Sequence, residues 1–269
     1  MKAVTSVVAS RELLWNLTLR ELRTKYRRSV LGWTWSMLNP LATVAIYSFI
    51  FGVLFDAEAP RGANSGLHGF GWFLLCALLP WNFFALINNM GLGSISVNAG
   101  LVRRVAFPRE VLVFSNVLHA CTQFAIELTL LCIIMLVVGS PILPWIPVVL
   151  LTSFLIAVFG AGFALALSTM SVYFRDLAYL WGIFLQLWFF ATPVVYSASL
   201  IDSKAPEWMQ PILKANPMKL ATSVYRDCLY HAQAPNWWGL LLFAGCAFAS
   251  LTIGWWIFHR LERRLAEEV

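Results

Sequence analysis

Four polar side chains within one long apolar stretch are the residues of this sequence best suited to chemistry inside a membrane. Asn116, His119, Gln123 and Glu127 are three, four and four residues apart, so a helix places them on one face. An ionised carboxylate near the middle of a bilayer costs at least about 2.5–3.5 kcal/mol, so Glu127 must face protein or water, or be protonated. Two interpretations stay open: a polar wall of a conduit, or a seam between helices in which these groups satisfy one another.

A stripe of aromatic side chains is the second candidate. Trp181, Phe184 and Trp188 recur at spacings of three and four residues, with Phe189 and Phe190 beside them. Aromatic faces stack on the apolar faces of sugar rings, so the stripe could line a carbohydrate conduit. Packing against lipid or against other helices explains the same rings.

A basic amphipathic helix is predicted near the N-terminus, with Ser10 as its cap. Its apolar stripe consists of Trp15, Leu19, Leu22 and Tyr26. Its cations are Arg20, Arg23, Lys25, Arg27 and Arg28. Such a helix lies in the membrane interface with its cations toward phosphate. Its role is either to set the topology alone or also to move as a gate.

The basic loop 102–110, VRRVAFPRE, contains one apolar aromatic residue among several charged ones. Its candidate residues are Arg103, Arg104, Phe107, Pro108, Arg109 and Glu110. Solvation explains the charges but not the phenylalanine. A short helix seated in a partner's groove explains both, because an aromatic anchor ringed by arginine is typical of interface hot spots.

Composition identifies the elements that must position these residues. Of 269 residues, 60% are hydrophobic and 12% are charged, about half the charged share of a soluble domain. We therefore predict an all-α polytopic membrane protein with six transmembrane helices. The predicted spans cover approximately residues 31–55, 69–90, 111–138, 148–172, 177–195 and 237–258. Residues 1–30 hold the interface helix, 31–258 the transmembrane domain, and 259–269 a charged tail.

Charge gives the orientation and excludes several classes of function. Lys and Arg concentrate in the segments that six spans would place beside both termini, so both termini are predicted to be cytoplasmic. The net charge of +6 then faces anionic membrane lipids, and we predict no nucleic-acid partner. The sequence has no G-x-x-x-x-G-K-[ST] motif and no metal-type spacing of His or Cys. The predicted chain therefore holds no cofactor or metal, is not an enzyme, and takes its energy from another protein or an ion gradient.

Several stretches together resemble a known family. They are RELRTKYRRSVLGWTWSMLNP near the N-terminus, VRRVAFPRE, YFRDL, ATPVVYS and the NPM at 216–218. In order and spacing they resemble the type-2 ABC export permeases for polysaccharides, and most closely the permease subunits for O-antigen, galactan and teichoic-acid export. The resemblance extends over essentially the whole chain.

The resemblance implies a half-transporter in the cytoplasmic (inner) membrane of a bacterium. Two copies would form a homodimer around a conduit, and each would dock on a separate ATP-binding-cassette ATPase that binds ATP and Mg. Loop 102–110 matches the coupling helix, the N-terminal helix the cytoplasmic gate, and 196–236 short re-entrant helices that form an outer gate. The substrate would be a lipid-linked glycan, whose pyrophosphate suits the cations of residues 20–28.

Three alternatives to polysaccharide export stay open. One is a drug or small-lipid exporter of the same superfamily. Another is an ion-coupled secondary transporter with Glu127 as its proton site. The third is a polytopic membrane transferase that uses Glu127 and His119, although such enzymes usually gather several carboxylates or histidines at one membrane face.

Overall fold

The computed structural model describes residues 10–26, 34–54, 60–105 and 107–262, and within these it is helical with no strand. The predictions for Arg27, Arg28 and the tail beyond 262 lie outside the described residues. The helices are α1 (Arg11–Tyr26), α2 (Thr34–Tyr47, continued as a π-helix over Ser48–Leu54), α3 (Phe70–Val97), α4 (Ala99–Arg104), α5 (Glu110–Val137), α6 (Ile146–Tyr173), α7 (Leu177–Ala191), α8 (Ser199–Lys204), α9 (Gln210–Lys214), α10 (Pro217–Tyr225, continued as a π-helix over Arg226–Tyr230) and α11 (Trp237–Glu262).

All six predicted apolar segments are helical in the described chain. Four helical stretches are long and apolar enough to cross a bilayer: Phe70–Val97, Glu110–Val137, Leu143–Tyr173 and Trp237–Glu262. The other two segments form shorter apolar helices, Leu41–Leu54 and Leu177–Ala191. The protein is therefore a multi-pass membrane protein, and its six-span topology stays a prediction.

Helix α6 is the centre of the bundle, packed between α3 and α11. Small residues allow these close contacts: a Cβ added at Gly254 would overlap the backbone of Gly162, and one at Gly91 would overlap Ala164. Inside a bilayer the hydrophobic effect contributes little to the association of helices. Close van der Waals packing of this kind holds them together instead. Helix α3 runs on to Val97, beyond the predicted end at 90, and Gly91 meets Ala164 of α6 within this extension.

Helix α1 packs along α5 through one narrow face. Leu17 and Thr18 are buried there, and the Thr18 hydroxyl donates to the Leu14 carbonyl oxygen in the turn before it. Trp15, which was predicted to face the membrane interface, is 60% exposed. The side that packs on protein and the predicted stripe are therefore offset around the helix axis, which leaves the indole facing outward.

Segment 196–236 is built from short helices rather than from a single span. Pro193 follows directly after α7, and α7 ends at Ala191, four residues before the predicted boundary at 195. Helix α10 begins at Asn216, whose side chain accepts a hydrogen bond from the Met218 amide as an N-cap. It then packs against α3, α6 and α11.

Candidate functional site

The polar stripe of α5 lies inside the bundle. Asn116, His119, Gln123 and Glu127 are all buried, and His119 is only 1% exposed. The Asn116 amide donates to the Met90 carbonyl oxygen of α3 (3.2 Å), and the Gln123 amide donates to the Glu127 carboxylate (2.9 Å). A cavity of about 20 Å³ with an otherwise aliphatic lining lies beside Glu127. This geometry favours the seam interpretation within one protomer.

The aromatic stripe of α7 is divided between the core and the surface. Trp188 contacts Phe84 edge-on at a centroid distance of 5.1 Å, and its indole donates to the Asn216 side-chain oxygen (2.9 Å). Trp181 is buried against Phe163 at 5.7 Å. Phe184, by contrast, is 45% exposed and remains available to a ligand or a second copy.

Asn216 has a structural role that sequence reasoning missed. Its amide donates to the Ala191 carbonyl oxygen (3.1 Å) and the Thr192 hydroxyl (2.9 Å), while its oxygen accepts from Trp188 and caps α10. One side chain therefore ties the end of α7 to the start of α10. The NPM motif indicated a helix start but gave no sign of these distant partners.

Among the predicted gate cations, Arg20 reaches the start of the coupling region. Its guanidinium donates to the Asn98 side-chain oxygen (2.6 Å) and to Glu21 (2.8 Å). Asn98 is the joint between α3 and α4, because its carbonyl oxygen accepts from the Leu101 and Val102 amides. Arg23 is exposed, and Lys25 lies in α1.

Loop 102–110 forms a basic hollow on the molecular surface. The hollow has a volume of about 560 Å³ and its lining includes Arg103, Arg104, Phe107, Arg109 and Glu262. Arg103 and Arg104 are exposed, Phe107, Pro108 and Arg109 are half-buried, and Glu110 is buried at the first turn of α5.

The last turn of α11 is held against this hollow by two side chains. Arg109 donates to the Glu262 carbonyl oxygen (2.7 Å), and the Tyr173 hydroxyl of the YFRD turn donates to the Leu261 carbonyl oxygen (3.0 Å). Both bonds join the last described residues of α11 to the segments around the hollow. The predicted coupling loop thus contacts the last helix as well as α3.

Arg226 is the second residue that sequence reasoning missed. It is 6% exposed, and its guanidinium donates to the carbonyl oxygens of Val194 (2.6 Å), Tyr196 (3.2 Å), Phe73 (3.3 Å) and Pro193. The same group lies 3.6 Å from the centroid of the Phe73 ring, which adds a cation–π contact. A lone arginine in an apolar stretch was the only signal in the sequence.

The loop at residues 60–68 is fastened to the segment that follows Arg226. The Tyr230 hydroxyl donates to the Pro60 carbonyl oxygen (2.8 Å), and the Asn64 amide nitrogen donates to the His231 carbonyl oxygen (3.0 Å). The His231 Nδ1 accepts from the Ala63 amide at 3.3 Å, which requires an unprotonated nitrogen. Burial lowers the pKa of His231 below its usual value, which favours the neutral ring.

No cluster of His, Cys, Asp or Glu among the described residues could hold a metal ion.

Comparison with known proteins gives consistent relatives. The chain is 29% identical to the O-antigen export system permease protein RfbA of Klebsiella pneumoniae, with 95% of this chain and 94% of that protein aligned. It is 30% identical to the RfbA protein of Myxococcus xanthus across the full length of both. It is also 31% identical, over 44% of each chain, to the polysialic acid transport protein KpsM of Escherichia coli. A model of the ABC-2 type transporter family matches residues 12–230, well over half of the chain, and the protein therefore belongs to that family.

Proposed function

We propose that this chain is the transmembrane subunit of an ATP-driven exporter that moves a lipid-linked polysaccharide across the cytoplasmic membrane. The observation that carries the proposal is similarity to O-antigen export permeases along almost the entire chain, joined to a sequence without a P-loop. Energy must then reach the chain from outside, and the relatives' names identify polysaccharide as the cargo class. O-antigen, galactan and teichoic-acid glycans all fit this proposal.

A separate ATP-binding-cassette subunit docks, in this proposal, on the basic hollow of loop 102–110. Exposed Arg103 and Arg104 offer donors to acidic groups, while half-buried Phe107 offers an apolar contact within the same hollow. ATP and Mg are bound by that partner. The hollow is coupled to the bundle through the hydrogen bond from Arg109 to the Glu262 carbonyl oxygen of α11, so a force applied by the ATPase would reach that helix directly.

Helix α1 is the cytoplasmic gate in this proposal, and its cations attract the anionic head of the lipid carrier. Arg20 supports the role because it joins the gate helix to Asn98 at the start of the coupling segment. A movement of α4 would therefore change the position of the gate. Membrane lipids contact the same face, where Trp15 is exposed.

Two copies of the chain form the conduit. Within one chain the polar stripe of α5 is buried among neighbouring helices, whereas α2 and α7 carry broad exposed apolar faces. The exposed residues of these faces include Ile46, Phe49 and Val53 on α2, and Leu180, Ile183 and Leu187 on α7. In this proposal each copy has six spans and cytoplasmic termini. The exposed faces of α2 and α7 then lie either around the glycan path between the two copies or against lipid.

The test is depletion of the chain in its source organism, followed by isolation of lipid-linked glycan from the inner membrane. The expected result is accumulation of glycan on its carrier, and co-purification of the tagged chain with an ATP-binding-cassette ATPase in about equal amounts. Normal glycan export after depletion would exclude the proposal. Export dependent on an ion gradient but independent of ATP would favour the secondary transporter instead.

A further inference from the structure

Residues 60–68 form a strap across the end of the bundle opposite loop 102–110. They lead into α3, whose 28 residues separate the two ends by about 40 Å. The strap is bonded to a segment far away in sequence, which comprises the end of the π-helix that continues α10 and the turn after it. Because that turn leads into α11 at Trp237, the strap joins the start of α3 to the chain that enters the last helix.

Several contacts of the strap do not depend on pH. The Asn64 amide nitrogen donates to the His231 carbonyl oxygen (3.0 Å), and the Asn64 side chain donates to the Ala232 carbonyl oxygen (3.1 Å). The Tyr230 hydroxyl donates to the Pro60 carbonyl oxygen (2.8 Å). None of these donors and acceptors changes its charge between about pH 5 and 8, so these bonds define where the strap lies.

One further contact of the strap does depend on pH. The Ala63 amide nitrogen donates to Nδ1 of His231 at 3.3 Å, and only an unprotonated nitrogen can accept this bond. After protonation Nδ1 is itself a donor, so two N–H groups would face each other across the same gap. The ring is half-buried beside Tyr230, with ring centroids 5.1 Å apart, so water compensates the imidazolium only in part.

Charged groups around His231 set the pH at which this contact changes. Burial lowers the pKa of His231, the Asp227 carboxylate raises it, and the Arg226 guanidinium lowers it. Arg61 and His68 of the strap are exposed, so water weakens their effect on the ring. The neutral ring and its bond to Ala63 are therefore fully present above about pH 6.5, and they are lost as the pH falls through the lowered pKa.

We propose that residues 60–68 are a pH-sensitive strap, which is closed on residues 230–232 while His231 is neutral and is loosened when the medium at that end of the bundle becomes acidic. The closed strap restrains the start of α3 against the chain that enters α11. Acid changes the Ala63 contact from attraction to repulsion, and the Asp227 carboxylate attracts the imidazolium instead. In the predicted orientation this end faces the outside of the cytoplasmic membrane, so the strap responds to external pH.

The test measures the mobility of the strap from the line shape of a nitroxide spin label on the full chain in lipid nanodiscs. Ala63→Cys carries the label, because the Ala63 side chain is exposed and its backbone N–H is kept. The matched control carries the label at Ser203→Cys, which is exposed at the same end, and the chain without an added cysteine gives the background from its five native thiols. Between pH 7.5 and 5 we expect the mobile fraction at position 63 to grow about tenfold, with a midpoint below about pH 6.5, and no change at position 203.

Three substitutions in the labelled chain identify the group that titrates. His231→Gln removes the titrating ring, so the line shape should be the same at pH 7.5 and pH 5, whether or not the amide oxygen replaces Nδ1 as the acceptor. Asp227→Asn removes a charge that raises the pKa of His231, so the midpoint should move to lower pH. His68→Gln replaces an exposed histidine of the strap itself and should leave the transition unchanged.

A line shape at position 63 that does not change with pH, or equal changes at positions 63 and 203, would overturn the strap. A transition that persists in His231→Gln or disappears in His68→Gln would overturn it as well, because another group would then titrate. The measurement involves neither glycan nor ATPase, so its failure would leave the proposed export function to its own test.

Discussion

Removal of the Arg226 guanidinium is the most direct test of how the outer segment is assembled. Each hydrogen bond to a charged group contributes about 1.5–3 kcal/mol, and this group makes four to backbone carbonyl oxygens. Desolvation of the buried cation opposes that sum by several kcal/mol. Arg226→Met keeps much of the volume but leaves the four acceptors without this donor, so we expect a loss of about 3–5 kcal/mol of folding stability. Arg226→Lys should lie between, because an ammonium has three donors and lacks the planar fork.

The assay is thermal unfolding of the purified chain in detergent, followed by tryptophan fluorescence. A loss of that size should lower the midpoint by roughly 10 °C. Arg61→Met is the matched control, since Arg61 is an exposed arginine at the same end and its loss should change stability by at most about 0.5 kcal/mol. Equal midpoints for Arg226→Met and the wild type would refute the reasoning, and would mean that the desolvation cost of the cation cancels its bonds.

Further predictions concern the cytoplasmic face, the seam and the outer loop. Phe107→Ala should weaken co-purification of the ATPase about thirtyfold or uncouple hydrolysis from export, with the membrane fold intact; wild-type behaviour would remove loop 102–110 as the coupling element. Glu127→Gln should support normal export in reconstituted vesicles, because an amide keeps most bonds of the seam, whereas complete loss with normal ATPase activity would indicate proton coupling. Arg20→Ala and Asn98→Ala should each lower glycan export per ATP hydrolysed, and the double variant should be no worse than either single one. Because burial lowers the pKa of His231 and its neutral Nδ1 accepts a bond, that contact is fully present above about pH 6.5 and is lost as the pH falls through the lowered pKa; the protection factors for amide exchange in residues 60–68, corrected for the intrinsic pH dependence of exchange, should therefore decrease on acidification.

Sequence patterns predicted the helices well, because the apolar character of a membrane-spanning helix is a property of one continuous stretch of sequence. All six apolar segments are helical in the described chain, and the boundary differences have local causes. The extension of α3 past 90 packs through Gly91 on Ala164, and Pro193 lies two residues after the early end of α7. The composition of a short stretch of sequence does not reveal which residue packs across a helix contact or how a turn is shaped, so it cannot predict exact helix ends.

Contacts between distant segments were beyond sequence reasoning for a physical reason. Arg226 binds backbone carbonyl oxygens, and any residue type supplies a carbonyl, so nothing in residues 193–196 marks them as its partners. Asn216 and Trp188 are 28 residues apart, yet their side chains meet at 2.9 Å. The polar stripe of α5 was visible as a pattern, but only packing could distinguish a seam from a conduit wall.

The contacts of loop 102–110 give a physical reason to expect that it moves several helices together. Loop 102–110 is joined to α3 through Asn98, to α1 through the Arg20 bond to that same residue, and to α11 through Arg109. Each contact is a hydrogen bond between separate segments, so we expect a shift of the loop to displace the helices that it contacts. A tightly packed bundle transmits such displacements rather than absorbing them, because its interior has little free volume.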